Sequence, residues 1–535
     1  MTEAIPTGDE DPGRHYRPIG MRPHVVVLPP WGAACEAGPD GGRCRSLWSR
    51  GDQDQTLTQA ALASLPLVVV SVLLTLRVSA MRSATAGILA AGVLIATAFS
   101  DRAGEVGPGL LRWLPTAVEV VVIIAAGIAL ARILGASGAQ GVLAGWLGQV
   151  TGGPLATALL VVHGVTPFAE SVTGFGVGVL VGVPLLAAAG FSPHRSAVLG
   201  LLGLCAVPWG ALGPGTIIAG RLIGETPEAV GIATAWPNLV VTVGVGIAAT
   251  LMVPGGRSPG ALVAGIVSGL VLGVGILLSS LFIGMAPSGA LGGLLAVLAH
   301  LAWRRAHGTR ITLPRQVRHA LGPYFLLLGG ILASTVAVTT LGVTGPWASV
   351  TSPALWLVLT CLFALRWLGV DRATSRLLAD DVGRLGRQTA LPTAAFLLLG
   401  VLMVLGGLTV PIGEAIQATG ALALVLGPAL GAFGGFITGS GAGANAMFAA
   451  AQATVAEGLG VCVLAFVGVQ NAAAGVLTMA SPARVLLAVR SVPMDVAAAG
   501  VSSGQPATVA KVTREVLLVD VVIVLTLGLW NVVLL

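Results

Sequence analysis

Thr166-Pro-Phe-Ala-Glu170-Ser-Val-Thr-Gly-Phe-Gly-Val-Gly178 sets a carboxylate, hydroxyls and three glycines in the middle of an apolar stretch, residues 154–190. Proline and glycine at this density break a regular helix, so the stretch reads as two half-helices that leave the membrane on the side they entered. A second stretch, 420–456, is interrupted in the same way by Gly434-Gly-Phe-Ile-Thr438-Gly-Ser440-Gly-Ala-Gly-Ala-Asn445-Ala-Met-Phe448. It carries no acid.

The setting of both is lipid. Of 535 residues, 55% are apolar and 9% charged, against roughly 25% charge in a typical soluble domain. Full crossings read near 57–76, 83–99, 113–134, 196–213, 233–253, 260–282, 289–303, 323–343, 353–368, 389–410, 459–480 and 516–535. The expected fold class is an all-α polytopic membrane protein with about twelve full helices plus two re-entrant broken-helix hairpins in an inverted repeat. The chain divides into a polar tail, 1–56, with no signal-peptide order; a first half, 57–253, with hairpin 154–190; connecting helices and basic loops, 254–388; and a second half, 389–535, with hairpin 420–456.

Basic residues alternate sharply between loops. If the first crossing runs outside to inside, eighteen fall in cytoplasmic segments and three (Arg102, Arg112, Arg221) in later external loops, which places both termini outside. Seven crossings then separate the hairpins, so they open to opposite sides. A shift of 268 residues lays 154–190 on 422–458, setting Thr438 opposite Glu170 and Ala442 opposite Gly174. Inverted halves of this kind build many secondary transporters.

Glu170 is the outlier, since an acid at the bilayer centre costs roughly 2.5–3.5 kcal/mol and is retained where it is paired, wet or functional. It reads as a carboxyl that takes up and releases a proton near neutrality; the structural alternative is a carboxyl bonded to hairpin amides. Ser171 and Thr173 precede the second arm, where they cap its free amides or, with those amides, hold an anion. Ser440 and Asn445 offer uncharged donors, and Gln470 and Asn471 lie mid-span, as ligands or as interhelical glue. His163 shares a helical face with Glu170 and is either a proton relay or a packed neutral ring. Glu119 is a secondary coupling candidate, Arg132 snorkels to the cytoplasmic end, and Asp520 reads as interfacial. Cys205, Cys361 and Cys462 read as small buried hydrophobes, and Cys35 and Cys44 imply no disulfide framework or metal spacing. The sequence shows no nucleophile-base constellation, zinc-ligand pair or phosphate loop, so no catalytic residue, metal or cofactor is expected. Basic residues fall between apolar runs without interleaved aromatics, so nucleic acid is not an expected partner.

At the two interruptions the chain resembles the lactate permease family of the wider ion transporter superfamily. The likeness is densest in Phe168-Ala-Glu170-Ser-Val-Thr-Gly174-Phe-Gly176, then Gly190-Phe-Ser-Pro193 and Ala206-Val-Pro-Trp-Gly-Ala-Leu-Gly213, and later in Thr438-Gly-Ser440 through Phe448, Gln452, and Val469-Gln470 through Gly475. It departs from the family's commoner Glu-Gly-Ala-Ala-Gly-Phe-Gly at 170–176, and in having Met479-Ala-Ser-Pro-Ala-Arg484 where an Asn-rich run is usual. The resemblance implies import of lactate, and often glycolate, with protons across the bacterial inner membrane. It sets Glu170, Gly174 and Gly176 in the first signature and Ser440, Asn445 and Gln470 in the second, and Phe175, between the two glycines, is counted with them among the substrate-binding candidates. The expectation is a proton symporter of a small 2-hydroxymonocarboxylate at the plasma membrane, with its oligomeric state open. The alternatives are a sodium-coupled carrier of another small organic anion, a membrane enzyme or a channel.

Overall fold

The computed structural model describes residues 50–174, 176–496, 498 and 506–535, with side-chain surroundings from Leu57 onward. Nearly all of the expected polar tail, and Phe175, lie outside the described residues. Those described form helices joined by short links, with no strand among them. The helix starts are written locally. Ser192, Thr226, Ser258 and Ser352 each precede a proline at the first helical position, and each hydroxyl accepts from an amide in the first turn, as does the Asp371 carboxylate from Thr374.

Among the described residues nine helices are long and apolar enough to cross a membrane, and eleven if two bent pairs each count as one span. Twelve were expected, and one of the nine, Pro154–Thr173, is the outgoing arm of the first interrupted stretch, expected as a re-entrant half-helix and here long and apolar enough to cross. The helix Ser288–Ala306, carrying His300, Arg304 and Arg305, is not among the nine. The crossing expected at 196–213 is broken outright: Pro193–Leu202 is followed by a 3-10 turn over Val207–Leu212 and a new helix, Pro214–Leu222. Ala211, Leu212 and Gly213 have φ of 41°, 63° and 77° in succession, a left-handed run that a straight helix cannot contain. The last crossing but one bends as well, with Val463–Thr478 and Pro482–Arg490 meeting at 41°.

Each interrupted stretch doubles back as an antiparallel hairpin. In the first, Pro154–Thr173 passes through a π-helical turn at Val161–Val165, and the returning arm is Val177–Ala188. The arms touch closely enough that a Cβ on Gly178 would sit 2.5 Å from the Thr166 carbonyl oxygen. In the second, Leu422–Thr438 pairs with Gly441–Leu459, and the Gln452 amide donates across to the Gly427 carbonyl at 3.2 Å. Gly174 and Gly439, with φ of 68° and 64°, end the two outgoing arms. They are 265 residues apart, whereas the prolines that restart the helices after the two breaks, Pro214 and Pro482, are 268 apart. The 268-residue shift thus fits the breaks and misses the tips, where the structural equivalent of Gly174 is Gly439 and not Ala442.

Small residues bring the spans together. A Cβ on Gly246 would lie 2.3 Å from the Gly265 oxygen, and one on Gly269 2.5 Å from the Thr242 oxygen, so Pro227–Leu251 and Pro259–Phe282 pack backbone to backbone. Large apolar side chains such as Val93, Leu111, Phe325 and Leu518 face outward, the surface that lipid favours. Arg132 pairs with Asp381 on Arg372–Leu405 at 2.9 Å. Asp520 is fully buried rather than interfacial, because helix Val509–Leu534 turns its Val512, Val516, Ile523 and Leu527 stripe inward and Asp520 belongs to it.

Candidate functional site

Four breaks converge on one cavity of about 50 Å³, room for a few waters. The first hairpin contributes Glu170 and Gly174, the first broken span Val207–Gly215, the second hairpin Ser440–Ala442, and the segment after the second bend Arg484. Two glycines make the meeting possible. A Cβ on Gly174 would fall 2.5 Å from the Ala211 side chain, and one on Gly215 2.9 Å from the Ala442 amide nitrogen. The second contact joins the halves of the chain.

Glu170 is 3% exposed. Its Oε1 and Oε2 accept from the Gly176 N–H at 3.1 and 3.0 Å, and Oε2 also accepts from the Gly178 N–H at 3.3 Å. The acid therefore caps the returning arm, whose orphan amides need an acceptor. Arg484 brings Nη1 to 3.3 Å from Oε1, a pair drawn from opposite halves of the chain in which the Glu170 side chain is buried and that of Arg484 is 13% exposed. That nitrogen has no hydrogen-bond partner, which leaves a guanidinium donor at the cavity wall.

The hydroxyls expected to cap the arm do something else. Thr173 donates back to the Ala169 carbonyl of its own helix at 2.6 Å. Ser171 is buried without a partner and faces Gly289 of Ser288–Ala306, away from the cavity. At the second tip, Thr438 bonds the Gly434 and Ser440 carbonyls, while Ser440, the N-cap residue of Gly441–Leu459, makes no side-chain cap bond and lines the cavity.

The amides form a network that leaves the Gln470 Oε1 without a partner. Asn445 donates to the Gly215 carbonyl at 2.9 Å and to Asn471 Oδ1 at 2.8 Å; Gln470 donates to Asn445 Oδ1 at 3.1 Å; Asn471 donates to the hydroxyls of Thr216 and Thr234 at 3.1 and 3.0 Å. This ties the second hairpin to the helix beginning at Pro214 and to Pro227–Leu251. Of the three amides, only Asn471 reaches the cavity.

The other candidates stand apart from it. His163 lies in the π-helical turn, with Nδ1 2.8 Å from the Ser268 hydroxyl and Nε2 3.1 Å from the Thr242 carbonyl. Glu119 accepts from Ser352 at 2.8 Å, and neither residue lines the cavity. Sequence reasoning passed over two elements of the site: the break at 203–213, although Pro208, Gly210, Gly213, Pro214 and Gly215 crowd eight residues and signal it, and Arg484, which reads from sequence as one more cytoplasmic arginine. Ala211 and Leu212 hold left-handed backbone without glycine, a strain that collects at functional sites.

A family model described as L-lactate permease matches residues 59–332 and 325–533. An L-lactate permease of Streptococcus iniae is 23% identical over 436 residues, 75% of this chain and 91% of that protein.

Proposed function

Because the chain belongs to the L-lactate permease family, we propose that it is a secondary transporter, not an enzyme, importing lactate or glycolate in symport with protons across the plasma membrane. Both termini lie outside, and the hairpins are re-entrant from opposite faces, one in the half 57–253 and one in the half 389–535. The observation that carries the reading is the Glu170–Arg484 pair at the junction of four helix breaks.

Charge balance in the site supports this reading. Empty, the site holds one carboxylate and one guanidinium and is neutral. When Glu170 takes a proton it releases Arg484, and the substrate carboxylate takes its place, so the doubly loaded site is neutral again. Proton alone or anion alone leaves a net charge in a dry centre, where uncompensated charge costs several kcal/mol. Only the empty and doubly loaded forms then switch readily between the two sides, which makes symport obligatory. The membrane potential does not oppose a neutral pair of passengers.

In this scheme Arg484 holds the carboxylate, with Ser440 and the amides that open Gly441–Leu459 completing the berth. Asn471 meets the 2-hydroxyl, and Asn445 and Gln470 hold Asn471 in position. Gly174 and Gly176 allow the close approach, and His163 and Glu119 act in proton supply from outside the cavity.

The test is uptake of labelled lactate, glycolate and acetate into vesicles under an inward proton gradient, comparing wild type with Glu170→Gln. The reading requires wild type to accumulate the 2-hydroxy acids over acetate and Glu170→Gln to lose proton-driven accumulation. Unaltered proton dependence in the variant removes Glu170 from coupling. A strong loss of wild-type uptake when sodium is replaced by potassium points to the sodium-coupled alternative.

A further inference from the structure

The last helix carries a second buried acid that this scheme leaves idle. Asp520 sits between Val516 and Ile523 on the buried stripe of Val509–Leu534. It is fully buried, and neither carboxyl oxygen completes a hydrogen bond. The backbone N–H of Ala480 is turned toward it, out of full bonding geometry. Ala480 belongs to Met479–Ser481, the link between Val463–Thr478 and Pro482–Arg490, and the next residue, Ser481, turns its buried, unpartnered hydroxyl toward Gly439 at the tip of the second hairpin.

Charged groups on the packed elements are engaged elsewhere or face outward. On Pro482–Arg490, Arg484 pairs with Glu170 and Arg490 is exposed; on Pro193–Leu202, His194 and Arg195 both bond Glu515. Leu422–Thr438 and Val463–Thr478 contain no charged residue, and Pro227–Leu251 has only Glu228, in its first turn. On the helix itself Lys511 and Arg514 are exposed. A carboxylate in such a place lacks compensation, whereas a carboxylic acid fits.

We propose that Asp520 is a second proton-binding site and that its protonation sets the hinge at Met479–Ser481, the joint that carries Arg484 to the central cavity. As the neutral acid, Asp520 packs within its stripe and the link keeps its present bend. When the proton leaves to water, the charge draws the Ala480 amide as a donor. Turning it inward changes the angle of Pro482–Arg490 and so the reach of Arg484 toward Glu170. Asp520 is a positioning residue and touches no substrate.

The inference rests on the proton-coupled reading, and its test separates the two. Initial rates of labelled lactate uptake by vesicles holding the full chain are measured against pH for wild type, Asp520→Asn and Asp520→Glu. The wild-type rate is expected to fall with rising pH more steeply than that of Asp520→Asn by one proton, about tenfold per pH unit. Asp520→Glu is expected to keep the steep fall with its midpoint displaced. An Asp520→Asn profile that matches wild type overturns the proposal; where that variant does not fold, an unshifted midpoint in Asp520→Glu overturns it. Wild type without proton-driven uptake sinks the transport reading instead. Infrared difference spectra of the purified chain across a pH step then decide for Asp520: a protonated-carboxyl band lost in Asp520→Asn supports the site, and the same band in both chains overturns it.

Discussion

The two hairpins are built alike and solve their polar problem differently. Both end an outgoing arm on a left-handed glycine, Gly174 or Gly439, and both press their tip against the broken span of residues 203–215. At the first tip the orphan amides of the returning arm are answered by a charge, Glu170, which then needs Arg484. At the second, Thr438 and Ser440 shape a neutral turn and Asn445, Gln470 and Asn471 form a network without charge. A charged tip responds to a proton and to an anion, while a neutral one holds its geometry whatever is bound. On the proposed transport reading, coupling would belong to the first hairpin and orientation to the second.

Arg484→Gln should have the largest effect. It strands Glu170 as a buried charge, a loss of about 3–5 kcal/mol, and both the folded yield in detergent and lactate uptake should drop to background. Combining it with Glu170→Gln should restore the yield and leave uptake at background; a double variant that still accumulates lactate breaks the assignment of coupling to this pair. Next comes Asn445→Ala, which leaves the Gln470 amide and the Gly215 carbonyl without their partner. Buried unsatisfied groups cost about 1–3 kcal/mol, read as a lower thermal midpoint, and an unchanged midpoint would mean that the network does not hold the second hairpin.

Gly215→Ala probes the contact between the halves. The added methyl meets the Ala442 nitrogen and the Gly441 carbonyl carbon at 2.9 and 3.0 Å, an overpacking of about 1–3 kcal/mol. Uptake should slow by about tenfold, which 1.4 kcal/mol on the transport barrier would produce, while the folded yield stays near wild type; equal rates would show that the tips separate freely. Ser171→Ala should do least. Its hydroxyl has no partner and faces away from the cavity, so stability should move by no more than about 0.5 kcal/mol. A large loss of uptake would return Ser171 to the substrate.

Much of this was legible in the chain. The apolar runs and the Pro-Gly interruptions announce spans and hairpins because hydropathy and backbone-breaking residues act over a few neighbours. Glu170 stood out for the same reason, being an acid where lipid tolerates few. The break after Leu202 was legible in its Pro208, Gly210 and Gly213 and was hidden by the apolar residues around them. Its left-handed turn at Ala211 and Leu212 has no such mark, because neither residue favours that backbone and only the packing around it holds it there.

The sequence by itself determined that lipid is the solvent, that two stretches fold back as hairpins, and that one of them carries an acid. Tertiary structure alone decided that Arg484 is the countercharge of that acid, that Asn445, Gln470 and Asn471 of the second half bond one another, and that Asp520 faces a bend instead of water. The reason is physical: hydropathy and helix breaking are properties of neighbours along the chain, whereas compensation of a buried charge depends on which distant segment arrives beside it.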